Sequence, residues 1–168
     1  RTASITADGR RAVTIAGTWS CQPFDALSGQ EVYDLLALRA AVFVVEQNCP
    51  YQDPDGLDAC AYHFLYRRDG RLLAHQRCLP PGTAFVESSI GRVVVARAAR
   101  GTALGRELVR RGIAFNLATW PEHGIRIGAQ SYLVDFYASL GFESCHDHYL
   151  EDGIEHVHMV LARDGAEG

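Results

Sequence analysis

The feature that most constrains the fold of this chain is an apolar strand followed by a glycine-containing turn and a helix. Residues Ser89–Ala96 include the run Val93–Val95, and such continuous apolar character predicts a strand buried on both faces. The turn Arg100–Arg106 contains two glycines, and Leu104–Ala118 has helical periodicity. Small residues at a helix N-terminus let the backbone approach an anion closely, so the turn is a candidate phosphate site. On this stretch alone, a connection without a ligand is an equally good explanation.

The remaining elements predict one α/β domain, built on a mixed, mostly antiparallel sheet of about six to seven strands flanked by helices. We expect residues 1–168 to form this single domain, structured over about 12–163, with frayed ends at 1–10 and 164–168. The predicted strands are Ala12–Cys21, Ala59–Arg68, Arg71–Leu79, Ser89–Ala96, Ile125–Gln130, Phe142–Leu150 and Ile154–Arg163, and the helices are 29–44, Leu104–Ala118 and Ser131–Leu140.

Short motifs support these boundaries. Ser28 precedes Glu31 by three residues, which is the spacing of a capping box at a helix start. Asp69-Gly70 and Asp152-Gly153 each separate two predicted strands and indicate two-residue hairpin turns. Gly141 is suited to end the last helix.

Composition excludes several classes of function. The net charge is −4 and all 16 basic residues are arginine, without a basic block, so the chain is a poor candidate for binding nucleic acid. The absence of lysine excludes Schiff-base chemistry and the lysine of a nucleoside triphosphate P-loop. No apolar run is long enough to cross a membrane, and residues 1–11 lack the apolar run of a signal peptide.

The five cysteines are an odd number and none has C-x-x-C spacing, which disfavours a disulfide framework and a structural zinc site. We expect free thiols in a reducing cytoplasm, mostly as small core side chains.

Four histidines lie in the strands predicted on either side of Asp152-Gly153. A two-residue turn there pairs Tyr149 with His156, and alternation then puts His146 and His148 on the opposite sheet face from the other two histidines. They cannot converge on one ion unless a bulge shifts the register, so we expect no metal.

Two separated motifs resemble the GNAT N-acetyltransferases. Residues 100–105, Arg-Gly-Thr-Ala-Leu-Gly, are similar to the family's acyl-CoA pyrophosphate loop, Arg/Gln-x-x-Gly-x-Gly/Ala, with Ala103 where glycine is usual. Residues 136–142, Phe-Tyr-Ala-Ser-Leu-Gly-Phe, resemble the family's Tyr-x-x-x-Gly-Phe segment. The stretches 38–51, 90–95 and 149–156 are closer still to the ElaA-like branch, and the resemblance covers residues 18 to 162 or so.

The resemblance implies a binding site for acetyl-CoA as cosubstrate. Backbone groups of Val93, Val94 and Val95 are expected to bind the pantetheine arm. The pyrophosphate is expected on the backbone of Arg100, Gly101, Thr102, Ala103, Leu104, Gly105 and Arg106. The two arginines add positive charge there or are simply solvated, and Gln130 contacts CoA or caps the helix at Ser131.

The resemblance also implies that Tyr137 is catalytic. Acetylation of an amine needs a base for the ammonium group and an acid for the departing thiolate, and the phenol of Tyr137 is expected to supply the acid and to contact CoA. A core tyrosine bonded to backbone is the alternative. The base is open among Glu46, Glu87, His63, His75 and a water chain.

We therefore expect an acetyl-CoA-dependent N-acetyltransferase that binds both substrates together, the amine attacking the thioester directly. The acceptor is a small-molecule or peptide amine, and a homodimer is a possible assembly. Acidic side chains crowd residues 46–58 and 151–155; they attract a cationic amine or are solvated loop residues. A non-catalytic acyl-CoA sensor is the main rival function, and a hydrolase using Cys49 or Cys145 is a third.

Overall fold

Residues 17–163, the part of the chain that this computed structural model describes, form seven strands and three α-helices. The strands are β1 (Thr18–Pro23), β2 (Tyr62–Arg68), β3 (Arg71–Leu79), β4 (Ser88–Val95), β5 (Ile125–Gln130), β6 (Glu143–Glu151) and β7 (Ile154–Leu161). The helices are α1 (Gly29–Arg39), α2 (Leu104–Thr119) and α3 (Val134–Ala138). Their order along the chain is the predicted one.

All strands belong to one sheet with the order β1-β2-β3-β4-β5-β7-β6. Every neighbouring pair is antiparallel except β4 and β5, which run parallel. The mixed, mostly antiparallel sheet expected from the sequence is thereby confirmed.

The parallel pair β4 and β5 is joined over only two residues. Ser88 pairs with Ile125 and Ser89 with Arg126, and no further pair follows. Beyond that point the edge of β4 that faces β5 is free, and the two strands border a cleft. Arg92 has a φ of 52° where the register between β3 and β4 shifts, which identifies a β-bulge in β4 next to this free edge.

Helix α1 starts at the predicted capping box. The Glu31 backbone N–H donates to the Ser28 hydroxyl over 3.2 Å, and the Ser28 N–H donates to the Glu31 carboxylate over 2.8 Å. The helix continues as a π-helical segment, Ala40–Glu46, which is the part with β-branched side chains. The predicted helix 29–44 is therefore one continuous stretch with two kinds of turn.

The two long helices cover opposite faces of the sheet. In β3, the Gln76 amide donates to the Leu108 carbonyl of α2 over 2.7 Å, so Gln76 faces α2. Alternation puts His75 and Arg77 on the other face, toward Arg39 at the end of α1. Leu108 and Val109 are fully buried in the core between α2 and the sheet.

Several boundaries differ from the predictions. The predicted helix Ser131–Leu140 is a 3₁₀ turn, Ser131–Leu133, followed by the short helix α3. Strand β1 begins at Thr18, and the predicted strand positions 12–16 and both predicted frayed ends lie outside the described residues. No helix among residues 17–163 combines the length and apolarity needed to cross a lipid bilayer.

The expectation that most cysteines lie in the core is wrong. All five thiols are free, but only Cys49 and Cys78 are buried. Cys21 and Cys145 lie on the edge strands β1 and β6, and Cys60 lies in a 3₁₀ turn. At all three positions few neighbouring residues cover the side chain.

Candidate functional site

A cleft of about 1020 Å³ lies where β4 and β5 part. One side is formed by Ser89–Val95 of β4 and the other by Ile127, Gly128 and Gln130 of β5. The turn before α2 closes one end, and Tyr137 of α3 borders the same space. The π-helical segment, the loop after it and the β6–β7 hairpin provide the remaining walls. The volume is at the upper end of the range usual for small-molecule sites.

The free edge of β4 offers backbone groups to the cleft. The Ala96 N–H donates to the Leu73 carbonyl of β3 over 2.7 Å, so alternation turns the backbone of Val94 toward β3 as well. Val93 and Val95 then present their backbone groups to the cleft. Of the three predicted valines, these two are placed to bind a ligand amide, while Val94 is buried and pairs with His75.

The turn before α2 has a set of unpaired backbone donors. Among the described residues, the N–H groups of Gly101, Thr102, Ala103, Gly105 and Arg106 have no hydrogen-bond acceptor. The Leu104 N–H is the exception, because it donates to the Thr102 hydroxyl over 3.3 Å. Unpaired donors at the start of a 16-residue helix are suited to bind an anion, so this turn stays the candidate phosphate site.

The backbone of this turn also explains its sequence. Gly101 has a φ of 74°, a left-handed conformation that favours glycine. Ala103, the departure from the family motif, has an ordinary φ of −75° and so costs no strain. A side chain at Gly105 would begin 3.6 Å from Val95, an ordinary contact, on the wall of the cleft.

The two predicted phosphate arginines already have partners. The Arg100 guanidinium donates to both carboxylate oxygens of Glu46 and, over 3.1 Å, to the Val95 carbonyl. Arg106 donates to the Ser139 hydroxyl over 2.6 Å, and its guanidinium lies 5.9 Å from the ring centre of Phe136. Arg100 is therefore at the cleft, whereas Arg106 joins α2 to α3.

Gln130 does not cap the turn that follows it. No side-chain capping hydrogen bond is formed at that 3₁₀ turn, and the Gln130 amide instead exchanges hydrogen bonds of 3.3 and 3.4 Å with the Gln47 amide. Both side chains line the cleft, so Gln130 borders the same space as Tyr137, and its contact with CoA stays a prediction.

Tyr137 lies at the cleft and is only 7% exposed. Burial raises the pKa of Tyr137 to about 12, which keeps the phenol protonated at neutral pH. Among the described residues its hydroxyl makes no hydrogen bond, so the alternative of a tyrosine tied to the backbone has no support there.

Of the four side chains considered as the general base, only Glu46 lines the cleft. His63 and His75 are fully buried between the sheet and α1, and burial lowers the pKa of His75 to about 3. Glu87 pairs with Arg126 over 3.1 Å and does not line the cleft. Glu46 does line it, but the hydrogen bond from Arg100 lowers the pKa of Glu46, so this carboxylate is a weaker base.

The acidic residues of the first loop are internal ion-pair partners. Arg39, itself fully buried, bonds Asp53 and Asp58 over 2.7 Å each. Arg77 contacts Asp55 over 2.5 Å and Asp58 over 3.1 Å. The idea that these three carboxylates attract an amine is not supported, because buried guanidinium groups already neutralise them.

The β6–β7 hairpin has the predicted register near its turn. Tyr149 pairs with His156, and the register then shifts between Ser144 and His148. His146, with a φ of 59°, lies in this bulge. Residues 17–163 contain no group of three or more histidine, cysteine or acidic side chains arranged to hold a metal ion.

The two cysteines proposed for a hydrolase lack an activating histidine. The Cys49 thiol donates to the Asp152 carbonyl over 3.3 Å, and the Cys145 sulfur lies 3.9 Å from a guanidinium nitrogen of Arg126. Among the described residues neither sulfur is bonded to imidazole.

Sequence reasoning missed His156 as a residue of the site. It considered this histidine only as a metal ligand, whereas the side chain lines the cleft beside Tyr149 and Glu151. The predicted pairing of Tyr149 with His156 could have pointed to this position. The pairing of His156 with Gln130 of β5 could not, because the sequence does not reveal the strand order.

Comparisons with known proteins agree with this architecture. Residues 39–163 match the family model described as "Acetyltransferase (GNAT) domain". A UPF0039 protein from Synechocystis is 43% identical over 144 residues, covering 85% of this chain and 94% of that protein. Protein ElaA from Escherichia coli is 41% identical over 144 residues, covering 84% of this chain and 94% of ElaA.

Solved structures show the same fold. An acyl-CoA N-acyltransferase from Pseudomonas aeruginosa has a TM-score of 0.84 and 41% identity, covering 88% of this chain and 100% of that chain. The crystal structure of Escherichia coli ElaA has a TM-score of 0.80 and 39% identity, covering 86% of this chain and 98% of that one. With a matching family model over most of its length and these relatives, the chain belongs to the GNAT acetyltransferase family, in its ElaA-like branch.

Proposed function

We propose that this protein is an acetyl-CoA-dependent N-acetyltransferase that acts on a primary amine by direct attack in a ternary complex. The observation that carries this proposal is the continuity of the cleft. It joins the unpaired N–H groups before α2, the free edge of β4 and the Tyr137 ring, which supports binding of one extended acyl-CoA along it. Acetyl-CoA supplies an activated thioester, and the protein's residues bind it, align it and stabilise the charges that develop.

The chain's own groups have separate tasks in this scheme. The N–H groups of the turn before α2 hold phosphate, and the backbone of Val93 and Val95 aligns the arm and polarises the thioester carbonyl. Tyr137 donates a hydrogen bond to the sulfur as negative charge develops there. A thiol has a pKa of about 8.5. Full proton transfer to the thiolate from the Tyr137 phenol, whose pKa is about 12, is therefore uphill. Hydrogen-bond donation is the larger part of the role of Tyr137.

Acetyl-CoA consumption with a panel of amines tests the proposal. The panel contains a tripeptide with a free N-terminus, Nα-acetyl-lysine, spermidine, kanamycin and benzylamine, and mass spectrometry identifies the acetylated nitrogen. We expect at least one N-acetylated product, formed in proportion to CoA released. Binding of acetyl-CoA without any product would instead support the acyl-CoA sensor. Hydrolysis of acetyl-CoA without an amine, abolished by thiol alkylation, would support the cysteine hydrolase.

A further inference from the structure

We propose that His156 is the general base that removes a proton from the ammonium form of the acceptor, an inference that rests on the proposed function. An amine is a nucleophile only when its lone pair is free, and most aliphatic amines are protonated at neutral pH. A side chain of the cleft, or water held there, therefore has to take that proton.

His156 is held in one orientation at the wall of the cleft. It lies in β7 between Gln130 of β5 and Tyr149 of β6, which are its register partners on either side. The Tyr149 ring stacks on the imidazole, with ring centres 5.5 Å apart. The His156 side chain is 10% exposed and borders the cleft. This placement limits rotation of the ring.

Backbone contact fixes which nitrogen of His156 is available. Nδ1 lies 2.8 Å from the carbonyl oxygen of Ile154. A carbonyl oxygen only accepts, so Nδ1 is the donor and carries the proton of the neutral ring. Nε2 then keeps its lone pair and is the nitrogen able to take a proton.

A carboxylate stands next to that lone pair. Glu151 Oε2 is 3.7 Å from His156 Nε2, and the Glu151 side chain is 60% exposed at the mouth of the cleft. The two acceptors are close enough for one ammonium group to contact both. Glu151 attracts the cation and stabilises the imidazolium that forms, and His156 takes the proton. The acceptor is accordingly a cationic primary amine.

The proton and electron balance is complete without another reactant. Nε2 takes one proton from the ammonium group, and the freed nitrogen lone pair forms the C–N bond as the C–S bond breaks. A second proton of that nitrogen ends on the departing sulfur with the help of Tyr137, and the imidazolium returns its proton to water.

The test uses His156→Asn in the full chain, because the asparagine amide can still donate near the Nδ1 position but has no basic nitrogen. His158→Asn is the matched control. His158 lies two residues further along β7, stacks on the same Tyr149 ring and bonds Asp147 over 2.7 Å, but it does not line the cleft. Each variant is assayed with benzylamine, which is cationic at neutral pH, and with aniline, which is not.

We expect His156→Asn to slow turnover with benzylamine by about 10²–10⁴-fold and with aniline by less than about threefold, with acetyl-CoA affinity unchanged. His158→Asn should match the parent. An equal loss with both amines, or no loss with benzylamine, overturns the assignment of His156 but leaves the proposed function intact. A parent protein that acetylates no amine contradicts the proposed function itself.

Nitrogen NMR of the unliganded protein gives a readout that is independent of turnover. The neutral His156 ring should be protonated at Nδ1 and bare at Nε2. The opposite tautomer overturns the assignment whatever the kinetics show, and it decides the question where aniline is not a substrate.

Discussion

The Arg100 guanidinium lies 3.1 Å from the carbonyl oxygen of Val95, so this side chain occupies part of the free edge of β4. The same guanidinium is paired with Glu46 of the π-helical segment. Two groups of the proposed acyl-CoA site are therefore bound to each other. In the proposed complex, acyl-CoA replaces the contacts of Arg100 with Val95 and Glu46. Glu46 opposes this replacement because its carboxylate competes with phosphate for Arg100.

Replacement of Glu46 distinguishes a carboxylate that competes with phosphate for Arg100 from a general base. We expect Glu46→Gln to tighten CoA binding by about twofold to fivefold at low salt, since Arg100 becomes free to reach phosphate and a partly exposed ion pair is weak. Isothermal titration in low and high salt measures this, and the gain should shrink as salt screens it. Turnover that slows by about two orders of magnitude would instead identify Glu46 as the general base.

Substitution of Gly105 tests the anion site. Gly105→Glu puts a carboxylate beside the unpaired N–H groups, so CoA affinity should fall at least about tenfold, or ~1.4 kcal/mol. Gly29→Glu is the matched control, because Gly29 also lies in the first turn of a helix and a side chain there meets no atom within 4 Å. Undiminished CoA binding by a folded Gly105→Glu protein would contradict the site.

Metal removal is the third test. None of the proposed steps uses a metal ion, and residues 17–163 bring no three metal-ligating side chains together. Activity should survive exhaustive treatment with EDTA followed by gel filtration in metal-free buffer. A loss that zinc specifically restores would show that the hairpin histidines or another group bind a required ion.

Acid should destabilise the protein through the buried His75. Its pKa is about 3 when folded, against 6.5 for an ordinary histidine, so the unfolded chain binds more protons below pH 6.5. Stability from this group is complete above pH 6.5 and is lost as the pH falls toward 3. Between pH 7.5 and 5 the free energy of unfolding should drop by roughly 2 kcal/mol from His75 alone.

The control for this pH dependence is His75→Asn, which lacks the titrating group. Whatever its absolute stability, its free energy of unfolding should fall by roughly 2 kcal/mol less than that of the parent over the same interval. Urea titrations at several pH values measure both slopes. Identical slopes would mean that His75 does not control the acid response.

The local signals in the sequence predicted the elements well. The Ser28–Glu31 capping box, the two hairpin turns and the glycine turn before α2 each depend on residues close together in the chain, so their geometry follows from local chemistry. The resemblance to a family then placed Gln130 and Tyr137 at one cleft, which spacing alone does not do.

What the sequence did not reveal depends on contacts between distant segments. Asp53, Asp55 and Asp58 resemble a solvated or amine-binding acidic loop in the sequence, because their partners Arg39 and Arg77 are 14 to 22 positions away. His156 likewise acquires its place in the cleft from pairing with β5, through Gln130. Ion pairing and strand order of this kind are tertiary properties.

The environment of the Tyr137 hydroxyl leads to the last prediction. Among the described residues the hydroxyl has no hydrogen-bond partner, so Tyr137→Phe should preserve the fold to within about 1 kcal/mol. Acetyl-CoA affinity should also be nearly unchanged, because the phenylalanine ring fills the same space against Phe136 and Phe142. Thermal unfolding and titration calorimetry check both points.

Turnover is where Tyr137→Phe should differ. If the hydroxyl stabilises the departing sulfur, the chemical step slows by about 10²–10⁴-fold, measured in a single turnover so that product release does not hide it. Because the pKa of Tyr137 is about 12, the hydroxyl stays protonated and the ratio of the two rates should be constant from pH 7 to 10 or so. A ratio that falls toward one within that range would mean that the Tyr137 hydroxyl loses its proton there, which contradicts a pKa of about 12. A chemical step equally fast in both proteins would remove Tyr137 from the mechanism. The thiolate would then leave unaided or take its proton from water.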